Sequence, residues 1–174
     1  KRIIDEVVYD LKKKKIVIKV PPVGVLIETP AAALISDSLA KNCDFFAIGT
    51  NDLTMYTLAT DRGDEEVANI YDPTHPSVLK LIQLTVNSAK DNNIPVSICG
   101  EMAGDTLFTM LLVGLNINSL SMGISSILKI KQFLNYLSFS EAKKISDEIL
   151  NDDDNVLIKN KLEKYRNYVM NKFS

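Results

Sequence analysis

Glu28, the neighbouring Asn51 and Asp52, Arg62 and Cys99 are the residues whose chemistry would combine if the fold gathered them. All but Arg62 stand where a short apolar run ends. Residues 23–28 end on Glu28, residues 44–49 run into Gly49-Thr50-Asn51-Asp52, residues 94–99 end on Cys99 with Gly100 and Glu101 behind it, and residues 119–123 end on Met122-Gly123. Glu28 and Asp52 are two carboxylates from successive runs. They suit a hard cation such as Mg²⁺, which takes oxygen ligands and keeps waters for a substrate phosphate; the plainer alternative is a solvent-facing strand end and a helix cap. Asn51 either caps a helix or donates its amide to a phosphate oxygen near a helix start. Cys99 is an acid, nucleophile or ligand facing a site, or a small buried hydrophobe, whereas Cys43 precedes a run and reads as packing. Arginine is scarce, with Arg2, Arg62 and Arg166 among 20 basic residues. Arg62 alone lies mid-chain, where its guanidinium either grips a phosphate in two places or rests on the surface. His75, between Thr74 and Pro76, has no evident catalytic partner and reads as structural or surface.

The elements that would hold these residues alternate. The four runs are short and nearly continuous in apolar residues, the pattern of parallel strands buried on both faces. Each is followed by helical spacing, over about 30–41, 51–60 with 75–92, 105–116, and 124–136. This βα order predicts an α/β domain with a parallel sheet and right-handed crossovers, whose ligand site lies at the C-terminal strand ends. Ahead of it, Ile3, Ile4, Val7, Val8 and Leu11 mark an amphipathic helix that ends in the Lys12–Lys15 run, a solvated terminus favoured by the helix dipole. Residues 140–150 and 155–172 form a helical extension, with Asp154 or Asn155 capping its second helix. Residues 61–76 form the longest loop.

Composition narrows the function classes. The 174 residues, 46% hydrophobic, can bury a sizeable core without disulfides. A net charge of -2 offers no basic excess to neutralise phosphates, which argues against a nucleic-acid partner. The two cysteines fall in no CxxC pattern, so neither a disulfide framework nor a zinc site is expected, and a reducing cytoplasm fits. Charges interrupt every apolar run before the roughly 18 residues of a membrane span, and no membrane insertion or targeting segment is expected.

Four stretches go beyond independent signals. Residues 49–63 read GTNDLTMYTLATDRG, residues 25–32 VLIETPAA, residues 71–79 YDPTHPSVL and residues 99–105 CGEMAGD. Over residues 1–150 the chain resembles the phosphoenolpyruvate-utilising enzymes. The segment from Tyr56 through Leu79 is most similar to the enzyme I branch, which serves the bacterial phosphoenolpyruvate:sugar phosphotransferase system. Met55 departs from the glutamine common in that family; Asn51, Asp52 and Arg62 keep its pattern.

The resemblance implies a fold and a set of roles. The family's substrate domain is a TIM-type (β/α)₈ barrel, so residues 1–174 are expected to be its C-terminal portion, the last four βα units with C-terminal helices over 140–172. By resemblance Glu28 and Asp52 ligate Mg²⁺, Asn51, Asp52 and Arg62 bind the substrate, and Cys99 delivers a proton to the enolate carbon. The implied activity is that of a transferase moving the phosphoryl group of phosphoenolpyruvate to a histidine of its own N-terminal domain, then to a histidine phosphocarrier protein, with release of pyruvate, in sugar uptake. Half the barrel and the phosphorylated histidine have no counterpart here, so the chain is expected to be a C-terminal fragment, inactive alone. Exposed barrel edges and the family's habit both imply self-association or a homodimer. The competing readings are a non-catalytic phosphoenolpyruvate- or metal-binding or interaction module, and part of a pyruvate phosphate dikinase or phosphoenolpyruvate synthase.

Overall fold

A computed structural model describes residues 1–61, 67 and 70–173. Within them β1 (Val25–Ile27), β2 (Phe46–Gly49), β3 (Val96–Cys99) and β4 (Ser119–Leu120) each lie inside one of the four apolar runs. They pair in sequence order β1-β2-β3-β4, every pair parallel. The expected α/β architecture with a parallel sheet is therefore present.

The register sorts the strand residues into two rows. Ile27, Ile48 and Ile98 align with Leu120 on one face, and Leu26, Ala47, Ser97 and Ser119 align on the other. The isoleucine row is fully buried against the helical layer, and each such side chain is worth about 2 kcal/mol of burial. Leu26 on the other face is 49% exposed, and Ala47 and Ser97 are half-buried. Burial on both faces, as the continuous apolar runs suggested, does not hold among the described residues: the helices cover one face, and small side chains line the other.

The crossovers differ in detail from the spacing. The single helix expected over 30–41 is two, α2 (Pro30–Leu34) and α3 (Ser36–Ala40), broken at Ile35 with φ -104 and ψ 16. The break lets the buried Ser36 hydroxyl meet Ser88 Oγ at 2.8 Å. After β2 comes α4 (Thr50–Leu58), ended by Ala59 in the left-handed conformation at φ 52, and then α5 (Pro76–Asp91). His75 caps α5, its Nδ1 accepting from the Ser77 amide, which is the structural role its context suggested. A 3₁₀ turn over Glu101–Gly104, not foreseen from spacing, leads from β3 into α6 (Thr106–Gly114). Beyond β4 lies α7 (Ile124–Leu134), and the chain closes with α8 (Phe139–Leu150) and α9 (Asn155–Met170). Asp154 is the cap of α9, its Oδ1 accepting from the amides of Val156 and Leu157. Asn155 instead reaches back to Asp72.

At the other end of the chain, α1 (Arg2–Lys13) has no buried residue. Ile3 and Val7 of its apolar stripe remain 68% and 50% exposed. Among the described residues no helix is long and apolar enough to cross a membrane.

Candidate active site

Strand parity determines what meets at the C-terminal edge of the sheet. Extending the register by one residue sets Glu28 beside Gly49, Gly49 is paired with Cys99, and Cys99 stands beside Ser121, all on the half-exposed face. Glycine at 49 is what makes room: a Cβ there would lie 3.1 Å from Glu28 Oε2 and 3.2 Å from Glu28 Cβ. The Glu28 side chain is thus laid across the end of β2.

Helix α4 begins at once after Gly49, and no side chain caps it. The cap reading of Asn51 and Asp52 therefore fails. Asp52 is exposed in the first turn, where its charge favours the positive end of the helix dipole. Asn51 is half-buried, and its Oδ1 accepts the Glu101 amide at 3.2 Å. That bond leaves the Asn51 NH₂ group as the donor free to serve a ligand.

Cys99 is half-buried, and its thiol donates to the Ile48 carbonyl at 3.4 Å. Its pKa is raised above the ordinary thiol value, first by burial and then by the negative charges of Glu28 and Asp52. Both carboxylates therefore act on the same sulfur. Cys43 is a buried free thiol raised chiefly by burial, as packing requires.

A cavity of about 460 Å³ opens beside this row. Asn51, Cys99, Gly100, Glu101, Ser121 and Ser126 are among its lining residues. A groove of similar size, about 480 Å³, runs along β4 and α7 but is lined mainly by apolar side chains such as Leu112, Ile117 and Ile130, and neither Asn51 nor Cys99 lines it. The chemistry belongs to the first cavity. Of the residues singled out in the sequence, Glu28, Asn51, Asp52 and Cys99 come together at this edge; Arg62 lies outside the described residues. Among the described residues no set of three or more His, Cys, Asp or Glu side chains is gathered for a metal, so a cation here would have two protein carboxylates and its own waters.

Sequence reasoning missed Thr50 and Gly100. Thr50 is 1% exposed, and its hydroxyl donates to the Cys99 carbonyl at 2.8 Å. Gly100 sits at φ +101, a conformation that suits glycine and few other residues. The signal was present in the adjoining letters of GTND and CGE, but only strand register reveals that these stretches touch.

Comparison with known proteins identifies the family of the chain. The family model described as "PEP-utilising enzyme, PEP-binding domain" matches residues 1–139. A protein from Buchnera aphidicola subsp. Acyrthosiphon pisum named phosphoenolpyruvate-protein phosphotransferase is 46% identical over 146 residues, 84% of this chain and 26% of the relative. Proteins of the same name from Borreliella burgdorferi and Mycoplasma capricolum are 47% and 40% identical, covering 75% and 83% of this chain and 23% and 25% of their own lengths. The chain spans about a quarter of the length of the curated relatives it matches. With most of its length matched by the family and its candidate site lying inside the matched region, the chain belongs to the PEP-binding domain family of the phosphoenolpyruvate-utilising enzymes.

Proposed function

We propose that the chain is the C-terminal portion of a phosphoenolpyruvate-protein phosphotransferase, the enzyme I of the bacterial sugar phosphotransferase system. Such an enzyme moves the phosphoryl group of phosphoenolpyruvate to a histidine of its own N-terminal domain, passes it to a histidine phosphocarrier protein and releases pyruvate. One observation carries the reading: strand register sets Glu28 beside Gly49 and Gly49 beside Cys99, at the edge where α4 begins with Thr50, Asn51 and Asp52, in a chain whose relatives bear that name. The four parallel strands are read as the last four βα units of a (β/α)₈ barrel, which typically takes about 250 residues. Residues 140–172 follow as a helical extension. Open sheet edges favour self-association or a homodimer of the parent enzyme, a cytoplasmic protein on this reading.

The donor set fits Mg²⁺. Glu28 and Asp52 are hard oxygen ligands, and among the described residues neither has an ion-pairing partner. Glu28 and Asp52 would hold such a cation, and its positive charge would offset that of the phosphate and of a developing oxyanion. The chain's own side chains carry the remaining tasks. Asn51 and Arg62 hold the phosphate through charge-assisted and amide hydrogen bonds. Cys99 is the acid of the last step: its S–H bond breaks, the proton goes to the methylene carbon of the pyruvate enolate, the enolate π pair forms the new C–H bond, and a thiolate remains. Burial, the largest cause of its raised pKa, keeps that thiol protonated at neutral pH, ready to donate.

Glu28→Gln and Asp52→Asn in the full-length phosphotransferase test the metal assignment. Each should slow Mg²⁺-dependent phosphoryl transfer from phosphoenolpyruvate by roughly 100-fold, since each removes charge that would hold the cation. Transfer rates and Mg²⁺ dependence close to wild type in both variants would remove these residues from the site.

A further inference from the structure

We propose that Thr50 is a positioning residue for Cys99, an inference whose catalytic part rests on the phosphotransferase reading. Thr50 opens α4, a place where a hydroxyl ordinarily serves its own helix; yet α4 has no side-chain cap, and the Thr50 hydroxyl donates instead to the Cys99 carbonyl at the end of β3, 2.8 Å away. Its backbone carbonyl is fixed in turn by the Thr54 hydroxyl at 2.7 Å. The next side chain repeats the arrangement, with Asn51 Oδ1 accepting the Glu101 amide at 3.2 Å. Two consecutive residues of α4 thereby hold the two peptides that flank Gly100.

The packing leaves that turn no slack. A Cβ on Gly100 would lie 2.5 Å from Thr50 Oγ1 and 3.0 Å from Asn51 Oδ1, so the glycine backbone rests directly on the two side chains at φ +101. Cys99 is thus held from two sides, its carbonyl by Thr50 and its sulfur by the Ile48 carbonyl at 3.4 Å. Proton delivery to carbon demands a donor held close to its target, and a displacement of about 1 Å can cost 100-fold in rate. Thr50 never touches the substrate in this scheme; it sets where the thiol is.

Thr50→Val keeps the shape and removes the donor, and Thr50→Ser keeps the donor. In the full-length phosphotransferase Thr50→Val should lower kcat for pyruvate formation by roughly 10- to 100-fold with KM for phosphoenolpyruvate within about twofold, and Thr50→Ser should restore most of it. In the 174-residue chain, amide hydrogen exchange at Gly100 and Glu101 should quicken by roughly 10-fold in Thr50→Val and stay near wild type in Thr50→Ser. Thr50→Ala serves both measurements if the valine variant does not fold. Wild-type kcat in the variant lacking the hydroxyl, a loss confined to KM, or a serine variant as impaired as valine would each overturn the proposal. Should the wild-type enzyme form no pyruvate, the phosphotransferase reading falls, and the exchange rates alone decide: equal exchange in the hydroxyl-free variant and wild type overturns the clamp, and faster exchange rescued by serine upholds it.

Discussion

At the scale of single residues, the site depends on where side chains are absent as much as on where they stand. Gly49 has ordinary backbone angles, φ -87 and ψ 90, so its requirement is space and not conformation. Gly49→Ala would set a methyl 3.1 Å from Glu28 Oε2, close enough that the carboxylate must give way by a few tenths of an ångström. Glu28 is half-buried and able to shift, so the fold should lose no more than about 1 kcal/mol. The metal should lose more: the Mg²⁺ concentration for half-maximal activity of the full-length enzyme is expected to rise roughly 10-fold while the melting temperature changes little. An unchanged Mg²⁺ requirement would mean that Glu28 is not held where a cation needs it. Glu28, Asn51, Asp52 and Cys99 were all legible in the sequence, because each is a chemically distinctive residue at the end of an apolar run. The work of Gly49, Thr50 and Gly100 was not, since it exists only once β1, β2 and β3 lie in register.

At the scale of elements, the C-terminal pair α8 and α9 extends past residue 139, where the family match ends, and is built onto the sheet-covering helices at two points. Gly114 of α6 lets α8 approach so closely that a Cβ would lie 2.2 Å from the Ala142 carbonyl oxygen. Farther along, Asn155 Nδ2 donates to Asp72 Oδ2 at 2.7 Å, and the Thr74 amide and hydroxyl reach Asp72 Oδ1 at 2.8 and 2.6 Å. This ties the start of α9 to the turn that leads into α5. Burial pushes the Asp72 carboxyl up, but the bonds from Thr74 and Asn155 outweigh it and hold the group below its ordinary 3.8. A folded pKa lowered in this way gives stability that is complete above the unfolded value and lost as pH falls through the folded one. Asn155→Ala should therefore cost about 1–2 kcal/mol at pH 7 in urea unfolding, and the difference from wild type should shrink progressively as pH falls below the ordinary 3.8. A difference independent of pH would mean that Asp72 is not the partner that matters. Helical spacing located α8 and α9 from their periodicity. It did not reveal the link between Asp72 and Asn155, which joins positions far apart in sequence, or the break at Ile35, which accompanies the contact of Ser36 with Ser88.

At the scale of the whole molecule, the described residues form an open parallel sheet covered by helices on one face. β1 and β4 each have one paired edge in the sheet order, the small-residue face carries the exposed Leu26, and α1 holds its apolar stripe without a buried residue. The order of strands and helices was readable from alternating composition, whereas the one-sidedness of the sheet was not, because a strand half covered by its own helices has the same apolar sequence as one covered on both sides. The candidate site lies on that uncovered face, where the described residues bring two carboxylates, an amide and a thiol to one strand-end edge. On the proposed phosphotransferase reading the step assigned to these groups is the last one, protonation of the departing enolate, and Cys99→Ala in the full-length phosphotransferase tests it most directly. Pyruvate formation should fall by roughly 100-fold or more, as expected for removal of a general acid, while phosphoenolpyruvate binding measured by calorimetry stays within about threefold. Equal losses in binding and in pyruvate formation, or pyruvate formed at the wild-type rate, would contradict the assignment of Cys99 as the proton donor of this site.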